Sequence, residues 1–310
     1  MGGNHPVWRR LRADRAAMTA LGVVALLVLT AAAAPLITGL EGQNPTAFHN
    51  DLIDSATGGV PVGPFGGVSA RHWLGVEPGT GRDVLARLVY GAQISLSVAV
   101  GATAVQMLLG VACGLAAGLG NRVADTLLSR TMDLVIAFPS LVFAISLMAV
   151  VPGSFPRPVL LMLVLGVLGW GGTARLVRGQ VLTLRGLDHV AAARLSGARA
   201  WRTARREILP ALAAPVITYA AVLLPGNVTA EAGLSFLGVG VRPPTPSWGQ
   251  MLSSATTWYL ADPTYVLLPS VLLFSTVLAF TLLGEGLRTA FDPRAKSRLR
   301  RARSRERVAV

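Results

Sequence analysis

Side chains able to carry chemistry are sparse in this chain of 310 residues. The four histidines, His5, His49, His72 and His189, lie far apart, and Cys113 is the single cysteine. No Cys/His spacing matches a zinc site, so no metal is expected. A lone cysteine admits no intrachain disulfide, and its apolar surroundings read as those of a small buried hydrophobe. Phosphate-binding loops place a glycine-rich run before a lysine. Lys296 is the only lysine, and no such run precedes it. No nucleophile, base or metal set clusters along the chain, which argues against an enzyme. The chain itself is expected to bind no cofactor.

Two polar residues stand out against apolar surroundings. Asn227 follows Pro225-Gly226 inside a long apolar stretch, and Glu231 comes at its end. A polar group in such a stretch faces a helix partner or a pore, and both readings stay open for Asn227. Glu231 reads either as an ordinary interfacial carboxylate or as part of a gate over an extracytoplasmic pore mouth.

The densest run of suggestive residues is Arg175–Glu207. Ala191 to Leu195 are strong helix formers, and Gly197 would end or bend that turn. A second short basic stretch, Arg199–Glu207, follows, and Pro210 suits the first turn of a further helix. The spacing predicts a helix–turn–helix. Ala192, Ala193 and Gly197 are small enough to let a partner approach the backbone, and Arg and Trp201 at the rim are common interface anchors. A surface loop that merely collects positive charge would look similar.

The elements holding these residues must cross a membrane. The chain is 52% hydrophobic and only 14% charged, against about 25% charged in soluble domains. A spanning helix needs about 20 apolar residues. Charge-free intervals predict six spans, at residues 17–40, 94–119, 134–153, 158–175, 210–230 and 264–285. Pro243–Ala261 has the length but is rich in Pro, Ser and Thr, and reads as a short interfacial or re-entrant segment. Arg9, Arg10 and Arg12 precede the first apolar run as in a signal peptide. That run is longer than the usual 7–15 residues, so it should remain as an anchor.

Charge placement sets the orientation. With residues 1–16 inside, only Arg71, Arg82, Arg87, Arg157 and Arg242 of the 28 cations fall outside, as the positive-inside rule asks. Both termini are then cytoplasmic, residues 41–90 are extracytoplasmic, and 91–286 form a five-helix core. The basic tail 287–310 meets anionic lipid rather than nucleic acid. The fold class is all-α and polytopic.

A resemblance sharpens this reading. Ala192-Ala193, Gly197 and then Ile208-Leu209-Pro210 resemble the coupling-loop motif of binding-protein-dependent ABC importer permeases. His72-Trp73-Leu74-Gly75, Gly81-Arg82-Asp83-Val84-Leu85, Ala137-Phe138-Pro139-Ser140, Glu231–Gly238, Pro243–Gly249, Gly286-Leu287-Arg288 and Asp292-Pro293-Arg294 follow in order over about 70–294. Together they look like the second membrane subunit of the dipeptide/oligopeptide/nickel branch. The resemblance implies a type I importer permease fold with a separate N-terminal helix, lodged in the inner membrane. It implies a homologous permease partner, two ATPase subunits that use ATP and Mg, and an extracytoplasmic solute-binding protein. It makes residues 188–210 the coupling loop, with Ala191, Ala192, Ala193, Gly197, Leu209 and Pro210 as its contact residues. Ala191 stands where the motif usually has Glu. Short peptides are the implied cargo, with nickel or another small polar solute open within the branch. A secondary transporter or channel is the alternative. It would want titratable groups in mid-span, whereas Asp133, Glu231 and Glu285 are read at span edges.

Overall fold

The computed structural model describes residues 5–196 and 200–291. Gly197, the Asp292-Pro293-Arg294 motif and the basic tail lie outside the described residues. The helices are α1 (His5–Ala13), α2 (Arg15–Ala32), α3 (Ala34–Glu41), α4 (Val84–Leu119), α5 (Arg122–Ala137) and α6 (Ser140–Val150). They continue as α7 (Arg157–Leu184), α8 (Asp188–Leu195), α9 (Ala200–Thr203), α10 (Leu209–Phe236), α11 (Trp248–Ala255) and α12 (Pro263–Phe291). Several begin where a short polar side chain caps them. Asp14, Asp83, Asn121 and Ser247 accept from the backbone N–H three residues on, satisfying donors the helix leaves open.

Five helices are long and apolar enough to cross a membrane, and a sixth span results if α5 and α6 count as one. This is the six-span, all-α architecture expected from composition. Pro243–Ala261 holds only the eight-residue α11, too short to cross.

Three span limits differ from the sequence reading. The third begins at Arg122, not 134, and turns through 82° at Phe138-Pro139. Pro139 cannot donate, and it pushes Phe138 into extended backbone, φ −77° and ψ 134°. The fourth runs on past its expected end at Arg175 to Leu184, so Arg178 also lies on the helix rather than in a loop. The second starts at Val84, four residues before its charge-free stretch and ten before the apolar part read as the span. Charge does not mark the span edges in this fold. Here Arg87, Asp125, Arg175 and Arg178 are carried on the helices because each has an ionic partner.

Helices α4 and α7 form the central seam. A Cβ at Gly110 would come within 2.4 Å of Thr173, at Gly114 within 2.7 Å of Val177, and at Gly118 within 2.6 Å of Val181. Small residues every fourth position let two backbones approach closely in a bundle where burial in lipid adds no drive to associate. Farther along, Met162 sits over Gly101 and Val105 over Gly166. Helix α2 closes a second face. Leu27 and Ala31 join Leu88, Ala92, Leu96, Trp248, Tyr265 and Phe280 in one buried cluster. Helix α1 docks on the far end, where Leu11 packs with Ala17 and Ala290. There Arg10 donates to the Ala290 carbonyl at 3.1 Å, a cation placed at a helix C-terminus.

The seam makes a sharp expectation. Gly114→Leu should lower stability by about 1–3 kcal/mol or more through overpacking. Gly22→Leu, where a Cβ meets nothing within 4 Å, should leave the thermal midpoint of the purified protein unchanged.

Candidate functional site

The sequence-predicted docking loop folds as two short helices. Asp188–Leu195 is the first, and Ala191, Ala192 and Ala193 all belong to it. The second stretch, Ala200–Thr203, passes into a π-helical turn, Ala204–Ile208, and then directly into α10. The widened turn ends two residues before Pro210, where a proline ring would otherwise press on the carbonyl four residues back. Leu209 and Pro210 therefore open α10, and through the widened turn the helix is continuous from Trp201 to Phe236. Ala192 is exposed, while Val190 and Ile208 are fully buried and fasten the two ends. Leu195 is 90% exposed and Trp201 71% exposed. Two large apolar groups thus project beside exposed Arg202, Arg205 and Arg206. Leu195 had drawn no notice from its sequence position, because apolar residues in a short helix ordinarily turn inward.

The same continuous helix carries Asn227 and Glu231, and both are buried inside the bundle. Asn227 donates to Thr103 Oγ1 at 2.8 Å and to Gln106 Oε1 at 3.0 Å. Gln106 returns a hydrogen bond to Asn227 Oδ1 at 3.1 Å and reaches the Leu165 carbonyl at 3.1 Å. Asn227 thus has helix partners, and it and Gln106 also line a cavity of about 170 Å³ with Ser140, Ala144, Gly169, Ala230 and Leu234 among others, so both readings of Asn227 stand. Nothing local in the sequence sets Gln106 apart from Gln93, the other amide of α4.

Glu231 is fully buried and accepts from Ser235 Oγ at 2.8 Å. The Ser95 and Ser247 hydroxyls face the same carboxylate. Ser235 in turn accepts from Val241 N at 3.0 Å, and Ser247 caps α11. The carboxylate therefore sits where α4, α10 and the segment leading to α11 meet. It is not exposed. Gly249 permits this approach: a Cβ there would lie 2.3 Å from the Ala232 carbonyl.

A second polar centre, unforeseen in the sequence, gathers residues 41–83. Arg87 is completely buried. It donates to Gln250 Oε1 at 2.5 Å and to the carbonyls of Pro45 and Pro244 at 3.1 and 3.4 Å. Its Nε lies 3.4 Å from Glu77 Oε2, within ion-pair range but without hydrogen-bond alignment. Glu77 also accepts from Arg82 at 2.6 Å, from Thr80 at 2.9 Å and from the Tyr265 hydroxyl. Nearby, His72 Nδ1 meets Asp83 Oδ2 at 2.8 Å, and Glu41 accepts from Trp73 N at 2.7 Å. Burial raises the Glu41 carboxyl above its ordinary pKa. The Trp73 N–H opposes that shift and the facing Asp83 carboxylate adds to it.

On α5 and α7, Asp125 takes a two-pronged contact from Arg178 at 2.5 and 2.8 Å. Asp133 pairs with Arg175. These pairs border an open cavity of about 400 Å³ lined also by Thr126, Ser129 and Arg130. Asp133, read from sequence at a span edge, instead bridges two helices.

Comparison with known proteins agrees with this architecture. Residues 110–297 match the family described as "Binding-protein-dependent transport system inner membrane component". Residues 5–52 match the "N-terminal TM domain of oligopeptide transport permease C". The chain is 34% identical to the glutathione transport system permease protein GsiD of Pectobacterium atrosepticum, over 94% of this chain and 91% of that protein. It is 34% identical to the dipeptide transport system permease protein DppC of Alkalihalophilus pseudofirmus, over 94% and 90% respectively. The glutathione permease of Escherichia coli O157:H7 is 35% identical over 94% and 91%.

Two substitutions test the polar centres. Arg87→Ala removes one of the two cations beside the buried Glu77 carboxylate and leaves Gln250 Oε1 and the Pro45 and Pro244 carbonyls without their donor; it should cost about 3–5 kcal/mol, read as a lower melting temperature and faster proteolysis of residues 41–83. Asn227→Leu leaves the Gln106 amide and Thr103 hydroxyl short of a partner and should cost about 1–3 kcal/mol. Asn227→Gln is expected to recover little, because its extra methylene shifts the reciprocal amide pair.

Proposed function

The chain belongs to the inner-membrane components of binding-protein-dependent transport systems, and on that footing we propose that it is the permease subunit of an ATP-driven importer for short peptides. It is a multi-pass membrane protein with a permease's role and no catalytic one. The relatives named for glutathione and dipeptide transport support a peptide cargo. The chain supplies one half of the translocation path, and a homologous permease subunit supplies the other.

One observation carries the coupling role. The second half of the docking loop, from Trp201 on, and the buried Asn227–Glu231 region lie on a single continuous helix, Trp201–Phe236. At 1.5 Å per residue, Trp201 and Asn227 are about 39 Å apart along it. Displacement of the loop is therefore delivered to the polar contacts at the far end. Ala191, Ala192, Ala193 and Gly197 form the contact surface for an ATPase subunit, Leu195 and Trp201 flank it, and Leu209 and Pro210 join it to the lever. Two ATPase subunits use ATP and Mg and move these loops. Asn227 and Glu231 act as supports of the gate, holding α10 to α4 and to the segment before α11. An extracytoplasmic solute-binding protein delivers the peptide. Both termini and the loop face the cytoplasm, a reading that the positive-inside charge distribution supports. The path switches between two packings biased by the ATPases.

The loop assignment makes paired expectations in the assembled transporter. Gly197→Trp should abolish uptake while membrane insertion stays normal, and unchanged uptake would overturn the assignment. Ala191→Glu restores an acidic side chain to the small-residue helix and should strengthen co-purification of the ATPase subunits.

A further inference from the structure

The extracytoplasmic segment holds an aromatic residue that bears two costs at once. Phe65 has φ 52° and ψ 44°, left-handed backbone that is a genuine outlier for a bulky side chain. It is the only non-glycine residue with positive φ among the described residues. Its neighbours Gly63, Gly66 and Gly67 also have positive φ, at 110°, 75° and 76°, and there glycine avoids the strain. Phe65 is also 74% exposed, and its ring joins no aromatic pair and no buried cluster among the described residues. A glycine or asparagine would remove both costs. No contact among the described residues offsets them, which points to a return from another molecule.

The surroundings extend the patch. Val62, Val68 and Trp73 are exposed at 59%, 47% and 47%. Gly66 packs so closely on Asp262 that a Cβ would lie 2.7 Å from its carboxylate. This brings the segment beside the turn carrying Tyr259 and Leu260, exposed at 58% and 83%. We propose that Phe65 is a docking anchor for the extracytoplasmic solute-binding protein, with the neighbouring apolar residues as the rest of its seat. The assignment rests on the importer reading and its orientation.

Height above the bilayer favours a protein over lipid. Val76 N binds the Gly66 carbonyl at 2.8 Å, and Val84 N binds the Gly75 carbonyl at 3.1 Å. Phe65 is thus tied to the level of the first residues of α4. The continuously apolar part of that helix, past Tyr90 and Gln93, starts near Ile94, ten residues or about 15 Å further in. The fully buried Arg87 layer lies between them. An aromatic side chain at that height meets a macromolecule in the extracytoplasmic space, and exposed aromatics are the usual anchors of such contacts.

The test uses the whole transporter in nanodiscs, with its binding protein titrated against ATPase activity. Phe65→Asn keeps a residue that tolerates left-handed backbone and removes the ring. The concentration of binding protein giving half-maximal stimulation should rise about tenfold, with basal ATPase and thermal midpoint not lowered. Leu260→Ser should shift it in the same direction. An unshifted titration for Phe65→Asn overturns the proposal, as does a loss matched by a lower thermal midpoint, which would mark a structural role. Altered basal ATPase with an unshifted titration would make Phe65 a bilayer anchor instead. If the unaltered transporter shows no stimulation at all, the importer reading fails first and takes this one with it.

Discussion

The half of the molecule that holds the irregular segment 42–83 depends on a single cation held away from water. Arg87 stands on the first turn of α4 with no exposed surface, and a buried charge is tolerated only when its donors are used. Its partners come from four separate parts of the chain: Pro45, Glu77, the Pro244 carbonyl and Gln250. Through Glu77 the set reaches Tyr265 on α12. Once α4 is placed, these contacts fix the irregular segment 42–83, the start of α12, and α11 with the segment before it. That segment has little regular structure of its own, only a two-residue hairpin pairing Ile53–Asp54 with Val60–Pro61 and a few 3₁₀ turns. A chain so poor in backbone ladders needs side-chain centres to hold it, and Arg87 is the largest of them.

The other half is organised by close approach instead. The glycines of α4 bring α7 into contact along its length. Helix α5 joins α7 through Leu128 and Met132, packed on Trp170 and Ala174, and through the ion pairs Asp125–Arg178 and Asp133–Arg175. The half-exposed Asp133–Arg175 pair is weak, whereas the packed glycine seam is rigid. The Trp201–Phe236 helix lies between these regimes, with an exposed loop at one end and buried amides at the other. This division suits a protein that must move one end while keeping the other in register.

What the sequence made legible follows from how hydrocarbon selects residues. The apolar runs, the rejection of Pro243–Ala261 and the short helix over 188–195 could be read because composition alone decides whether backbone can lie in lipid. The limits of the spans could not. Arg87, Arg175 and Arg178 were counted as markers of span edges, yet all three lie on long helices because partners from distant positions neutralise them. Glu77 and Arg87 are ten residues apart, and Asp125 and Arg178 are 53 apart. No local pattern announces such a pairing. Asn227 was visible as an anomaly, but Thr103 and Gln106, its partners across 124 and 121 residues, were not.

The Asn227–Gln106 pair also shows why polar groups are kept inside such a bundle at all. Two leucines would fill the volume without a desolvation cost. Two amides facing each other each use a donor and an acceptor, and the geometry is met at one axial register only. Sliding α10 by a single residue along α4 moves Asn227 about 1.5 Å, enough to break bonds of 3.0–3.1 Å. An apolar seam would absorb that displacement gradually. The amide pair instead makes the energy steep on either side of one position, so α10 is held in one axial register against α4. Glu231, one helical turn further on and fully buried among serine hydroxyls, adds a second point of the same kind. The two together fix this end of α10 far more sharply than apolar packing alone would.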